Sequence, residues 1–220
     1  TTTTTPKARL IGIDIQSRAV HNTQRSLLSA LPSDVYYNHV TILEQSHEHL
    51  MNVLPKKDDT DSIGLICYNL GYLPGAPITQ HDADQQLQQQ QQQSKDNNNS
   101  YKECQTQTET TLHSITDASL LIRVGGLISI MTYPKSNLEE SIVVEHFIEG
   151  LAMLTTRNAD GWRGYVNNGS IADERVRHMI TKALERVVKE GKKEQTWRCF
   201  VHKPLGRPLS PVLVTAMRIK

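Results

Sequence analysis

Four short apolar runs set the frame for this chain, because they alternate along it with segments that read as helical. The runs are Arg9–Asp14, His39–Leu43, Asp61–Cys67 and Leu127–Met131. Continuous apolar runs of this size read as parallel strands buried on both faces, and parallel strands need crossover connections, usually helices. Ser17 is read as an N-cap, with Ala19, Val20, Leu27, Leu28 and Leu31 at helical spacing and Pro32 as the stop. Ser46 to Val53 reads as a short helix or turn. Further helices are expected over Thr108–Ile122, Leu138–Leu154 and Ala172–Glu190, with a turn at Val124–Gly126 and a Gly- and Asn-rich loop over Asp160–Ser170. The chain closes with two strands, Thr196–His202 and Val212–Ile219, joined by a short Pro/Gly connection. The expected fold class is therefore α/β and Rossmann-like: a mostly parallel sheet with a C-terminal antiparallel hairpin. Flavodoxin-like and dehydrogenase folds share its first half.

Residues 76–107 interrupt this pattern. Gln occupies eight of the nine positions 85–93, and Ser-Lys-Asp-Asn-Asn-Asn-Ser follows. Such a segment buries too little apolar surface to offset its ordering entropy, so a disordered insertion is expected there. It accounts for much of the low hydrophobic fraction, 37%. The rest is expected to be a single domain over 1–220, with 155–195 a second, loop-helix insertion. No run reaches the ~20 apolar residues of a membrane span. A formal net charge of +1 excludes a strongly basic nucleic-acid coat, though not a local basic patch. Cys67, Cys104 and Cys199 lack metal-ligand or disulfide-framework spacing, the nine histidines are scattered, and no metal site is expected.

The candidate functional residues lie where parallel α/β sheets bind ligands, beyond the carboxyl ends of strands. Asp14 ends the first run, where a carboxylate accepts ribose hydroxyls or favours the start of the next helix. Asn69-Leu-Gly-Tyr-Leu-Pro-Gly75 begins at the end of the third run. An Asn side-chain oxygen there, with nearby carbonyls, could hold the N–H groups of an amine and aim its lone pair at a methyl donor, which is catalysis by positioning. Tyr72 could cover the reacting group; Gly71 and Gly75 permit close backbone approach. A plain strand-to-turn connection is the competing reading. Ser46-His47-Glu48 follows the second run and reads either as a contact for ligand or as a helix cap. Tyr133-Pro134 follows the fourth and reads as a pocket wall or a Pro turn. Arg163, Lys203 and Arg207 are loop cations that could touch RNA phosphates.

The string Asn69–Gly75 resembles the MnmM-type (YtqB-like) tRNA methyltransferases. Further blocks match in order: Ile13-Asp14-Ile15-Gln16, Ser46-His47-Glu48, Thr108–Thr111, Gly125–Ile130, Tyr133-Pro134 and Pro211–Val214. The resemblance implies S-adenosyl-L-methionine as cofactor, tRNA as partner, and N-methylation of 5-aminomethyl-2-thiouridine at the wobble position. It also implies Asp14, Gln16, Ser46, His47, Asn69 and Leu70 as cofactor contacts. Asn69 and Tyr72 would be the catalytic pair; Gly71, Pro74, Gly75 and Tyr133 would line the substrate site. The family's first strand and its Gly-rich loop would precede Arg9, so an N-terminally incomplete domain is expected. Two other readings stay open: a non-catalytic Rossmann-like protein that binds RNA or protein, and a methyltransferase with another acceptor such as rRNA. A homodimer is an open expectation, as are cytoplasm, plastid and mitochondrion.

Overall fold

The computed structural model describes residues 8–53, 63–70, 107–154, 158, 160–191, 195–206 and 210–220. They form two compact units, one ending at Leu50 and one beginning at Met51. In the first, β1 (Leu10–Asp14) leads through α1 (Ser17–Ala30) and α2 (Ser33–His39) to β2 (Val40–Glu44). The strands pair in parallel from Leu10 opposite Val40 to Asp14 opposite Glu44, so two carboxylates end adjacent strands. Helix α1 buries Ala19 and Val20. Its N-cap is Gln16, not Ser17, which lies inside the first turn and bonds across to β2 instead. Helix α2 was not expected. It starts immediately after Pro32, with Asp34 in its first turn, and it takes in His39, so the following strand begins at Val40. A turn of 3₁₀ helix, His47–His49, runs into the short α3 (Leu50–Val53).

The second unit holds a four-stranded sheet ordered β3-β4-β6-β5. Strand β3 (Ile63–Asn69) pairs in parallel with β4 (Ile122–Thr132). Strand β6 (Val212–Arg218) is antiparallel to both β4 and β5 (Trp197–His202), so β3, β4 and β5 share a direction and only β6 is reversed. The α/β, Rossmann-like class with its C-terminal antiparallel hairpin is thus borne out. The turn expected at Val124–Gly126 is absent. Those residues lie within β4, where the pairing shifts register opposite Ile63 and Leu65, and Gly125 takes up the distortion with a φ of 77°.

Helices α4 (Thr108–Leu121), α5 (Leu138–Ala152), α6 (Gly161–Asn167) and α7 (Glu174–Glu190) complete this unit. Ile128 and Ile130 of β4, Val214 and Ala216 of β6, Phe147, Ile148 and Leu151 of α5, and Ile180, Leu184 and Val187 of α7 are all buried. Helix α6 occupies the segment expected to be a loop. Trp162 and Val166, one turn apart, are both buried, and burying that apolar pair outweighs the weak helix propensity of its glycines. Gly150 lets α5 approach α7 closely, since a Cβ there would strike Leu184. Strand β3 is less buried than its composition suggests. Leu65, Cys67 and Asn69, alternate residues on one face, are exposed. The expected polar insertion lies outside the described residues, apart from Gln107. Among the described residues, no helix is long and apolar enough to cross a membrane.

Candidate functional site

Each unit places its candidate residues at the carboxyl ends of parallel strands. In the first unit, Asp14 closes β1 and stays exposed. Its Oδ1 accepts the backbone N–H of Gln16 at 2.8 Å, and its main-chain oxygen accepts the N–H of Gln45 at 2.9 Å. The turn is thereby fixed while Asp14 Oδ2 has no hydrogen bond to a described residue. Across the pair, Glu44 accepts the hydroxyl of Ser17 at 2.5 Å. Glu44 is a candidate that the sequence reading missed. Aligning the two short strands in parallel would have placed it beside Asp14.

Ser46 is an N-cap, its Oγ accepting the N–H of Glu48 at 3.3 Å. The capping reading of that block is therefore borne out. It fixes the backbone that carries His47, so capping and a ligand contact by the neighbouring residue do not exclude each other. His47 is half-buried, and its Nε2 is fully buried with no hydrogen-bond partner among the described residues. Burial holds the imidazole below its ordinary pKa, although Glu48 and Asp14 both pull the other way. An orphaned ring nitrogen beside a carboxylate with a free oxygen fits a ligand that carries hydroxyls and ring nitrogens, such as an adenosine group.

The His47 shift has a testable consequence. Because the folded state holds a lower pKa than the unfolded chain, folding disfavours the imidazolium. Stability is then complete above the unfolded value of 6.5 and falls as pH drops below it, through the lowered folded value. We expect the urea midpoint to fall between about pH 7.5 and about pH 5.5, and to fall less in His47→Gln. Equal slopes in both proteins would assign the pH dependence to other groups.

In the second unit, Asn69 is the last residue of β3, opposite Met131, and is exposed. Leu70 is buried, and its N–H donates to the carbonyl of Met131 at 3.0 Å. The backbone just after Asn69 is thus held to β4. Tyr133 follows β4 and is half-buried; its carbonyl accepts the N–H groups of Ser136 at 2.8 Å and Asn137 at 3.0 Å. Pro134 is buried in that turn, and Asn137 caps α5 by accepting the N–H of Glu140 at 3.1 Å. The Pro-turn reading of Tyr133-Pro134 is therefore observed, and Tyr133 follows β4 at the same sheet edge as Asn69. A shallow depression along that edge is lined by Met131, His202, Lys203 and Pro204, among others. Gly71, Tyr72, Pro74 and Gly75 lie outside the described residues.

Of the three cations expected in loops, Arg163 lies instead in α6 and bonds Asp160 at 3.1 Å and Glu185 at 3.2 Å. Lys203 bonds Glu145 at 2.5 Å. Both are already neutralised by carboxylates, and Arg207 lies outside the described residues.

An α/β chain with its candidate polar residues along the carboxyl edges of parallel strands is of the Rossmann-like class. Residues 10–92 match the family model described as "Putative rRNA methylase". A curated relative, the chloroplastic tRNA (mnm(5)s(2)U34)-methyltransferase of Arabidopsis thaliana, is 27% identical over 141 residues, 63% of this chain and 41% of that protein. The chain thus spans less than half the length of the curated relative it matches. Over these residues the resemblance to the MnmM-type, YtqB-like family is borne out.

Two solved structures are also similar. One is titled a putative rRNA-methylase from Clostridium thermocellum (TM-score 0.48, 16% identity, 96% of this chain and 75% of that one). The other is SMU.1697c, titled a putative methyltransferase from Streptococcus mutans in complex with SAH (TM-score 0.47, 16% identity, 96% and 76%).

Proposed function

We propose that this chain is part of an S-adenosyl-L-methionine-dependent methyltransferase that modifies RNA, and that its acceptor is the 5-aminomethyl-2-thiouridine wobble base of tRNA. The observation that carries the reading is the placement of Asn69 at the exposed carboxyl end of β3, within the stretch that matches the methylase family. The name of the curated relative supports tRNA as the RNA class and a plastid as the compartment.

When bound, S-adenosyl-L-methionine supplies an electrophilic methyl group. The residues of this chain bind and orient. Asp14 Oδ2 would accept ribose hydroxyls, while the Oδ1 bond to the Gln16 N–H keeps the carboxylate in place. His47 Nε2 would gain the partner it lacks from the adenosine. Asn69 Oδ1 would accept an N–H of the amine, leaving the nitrogen lone pair directed outward for attack. The Leu70–Met131 bond would hold that geometry. Tyr133 would wall the acceptor pocket, and Gly71, Tyr72, Pro74 and Gly75 are proposed with it from the family motif.

The test uses the protein expressed from its complete reading frame. It is incubated with S-adenosyl-L-methionine and with tRNA carrying 5-aminomethyl-2-thiouridine, and the digested nucleosides are analysed by mass spectrometry. A gain of one methyl on that nucleoside is the expected result. Cofactor binding without methylation of any tRNA nucleoside would overturn the acceptor. Absence of both would overturn the enzyme reading.

A further inference from the structure

The solvent face of α1 has an unusual charge pattern. Its fourteen residues, Ser17–Ala30, include no Asp or Glu. Arg18, His21, Asn22 and Arg25 stand at i, i+3, i+4 and i+7, which is one helical face, opposite buried Val20 and half-buried Leu27. All four are exposed, and together with Gln24 and Leu28 they line a shallow depression. Arg18, His21 and Arg25 make no ion pair or hydrogen bond with any described residue.

In the other unit, several cations are paired. There Arg163, Arg175, Arg186 and Lys203 each sit on one or two carboxylates. The nearest acids by sequence and pairing are Asp14 and Glu44 at the N-terminal end of α1 and Asp34 just beyond its C-terminal end; Asp14 and Glu44 each already accept a hydrogen bond from the start of the helix, and none of the three pairs with Arg18 or Arg25. Arg18 and Arg25 thus stand roughly 10 Å apart along the helix axis, each without an ion-pair partner among the described residues. That length spans about three nucleotides of a stacked strand.

We propose that this face of α1 docks the phosphate backbone of an RNA, with Arg18 and Arg25 as phosphate contacts and Asn22 and His21 as hydrogen-bonding groups between them. The inference rests on the proposed RNA substrate and adds the surface that holds it. Helix α1 starts three residues after Asp14, so the docking face extends from the strand end that bears the candidate cofactor contact. RNA is favoured over an acidic protein because the cations repeat along one line with polar side chains between them. The only large apolar residue lining the depression, Leu28, lies at its far end.

Binding of a fluorescent anticodon stem–loop RNA is measured by anisotropy from about 50 to about 200 mM salt, for the wild type and for the double variant Arg18→Gln/Arg25→Gln. Gln keeps helix propensity, and circular dichroism checks that α1 persists. A second double variant, Lys182→Gln/Lys189→Gln on α7, removes the same charge elsewhere. The α1 variant is expected to bind more weakly and to flatten the slope of log K against log salt by about 2, one for each lost phosphate contact, while the α7 variant keeps the wild-type slope. Wild-type RNA binding with equal slopes in all three proteins would overturn the docking face and leave the RNA substrate standing. A wild type that binds S-adenosyl-L-methionine in calorimetry but no RNA at low salt would overturn both. Equal flattening in the α7 variant would reduce the effect to net charge and also overturn the assignment.

Discussion

Asn69→Ala is expected to lower methyl transfer to the wobble nucleoside by at least about 100-fold, because misplacing a reacting group by an ångström costs a factor of that order. Affinity for S-adenosyl-L-methionine should change much less, since Asn69 acts on the amine in this reading and the cofactor's adenosine falls to Asp14 and His47. The structural ground is specific. Asn69 is exposed at the strand end, so removing its amide leaves no cavity and no buried unpaired partner. The main-chain bond from Leu70 to Met131 does not involve the side chain, so the turn survives. A drop in rate with an unchanged melting temperature and retained cofactor binding separates positioning from folding. Asn69→Asp serves as a second probe. It keeps the acceptor oxygen and replaces the donor, so activity recovered in Asn69→Asp would locate the effect in the acceptor. Methylation by Asn69→Ala at the wild-type rate would remove Asn69 from the reaction.

The elements that the sequence revealed best are those with an unambiguous period. Helix α7 carries Val176, Ile180, Leu184 and Val187 on one face beneath an Asp173 cap, and its C-terminal end at Glu190 was placed correctly. Strands β5 and β6 and their hairpin were equally clear. Two kinds of feature were not. Helices α2 and α6 have seven residues each, too few for a periodic signal, and their glycine, asparagine and tyrosine content reads as loop. The bulged start of β4 was read as a turn because Gly125-Gly126 signals one as readily as the other. For the candidate site, strand-end positions were legible for Asp14, Asn69 and Tyr133, because period-breaking polar residues mark where an apolar run stops. Glu44 was not, since its significance comes from pairing register, which one strand cannot reveal alone. The orphaned Nε2 of His47 is a matter of burial in the folded chain, and no local sequence pattern encodes that.

Arg186→Ala is expected to destabilise the protein by roughly 3–5 kcal/mol, the usual result when one partner of a buried ion pair is removed. Asp117 of α4 is only 1% exposed, and Arg186 Nη2 of α7 lies 2.8 Å from its Oδ1. Burial alone would keep this carboxyl neutral. Its pKa stands above the ordinary value even with Arg186 and His113 pulling it down, so desolvation already wins, and the arginine limits the cost. Removing the guanidinium leaves Asp117 to ionise at a penalty or to bind a proton. The sign of the pH dependence follows. A folded pKa above the unfolded one gives stability that is complete below the unfolded value and lost as pH rises through the folded value. The deficit of Arg186→Ala should therefore be largest near neutrality and shrink toward about pH 3, below the ordinary carboxyl value of the unfolded chain. Asp117→Asn in the same background should recover most of the loss at neutral pH, since it removes the uncompensated charge and keeps the shape. Glu190, which also bonds Arg186 at 3.1 Å, is half-exposed and contributes little. Urea unfolding of the single and double variants at both pH values measures all of this. A loss under about 1 kcal/mol at neutral pH, or one that does not shrink in acid, would mean that water reaches Asp117 and that the α4–α7 contact is held by its apolar residues alone.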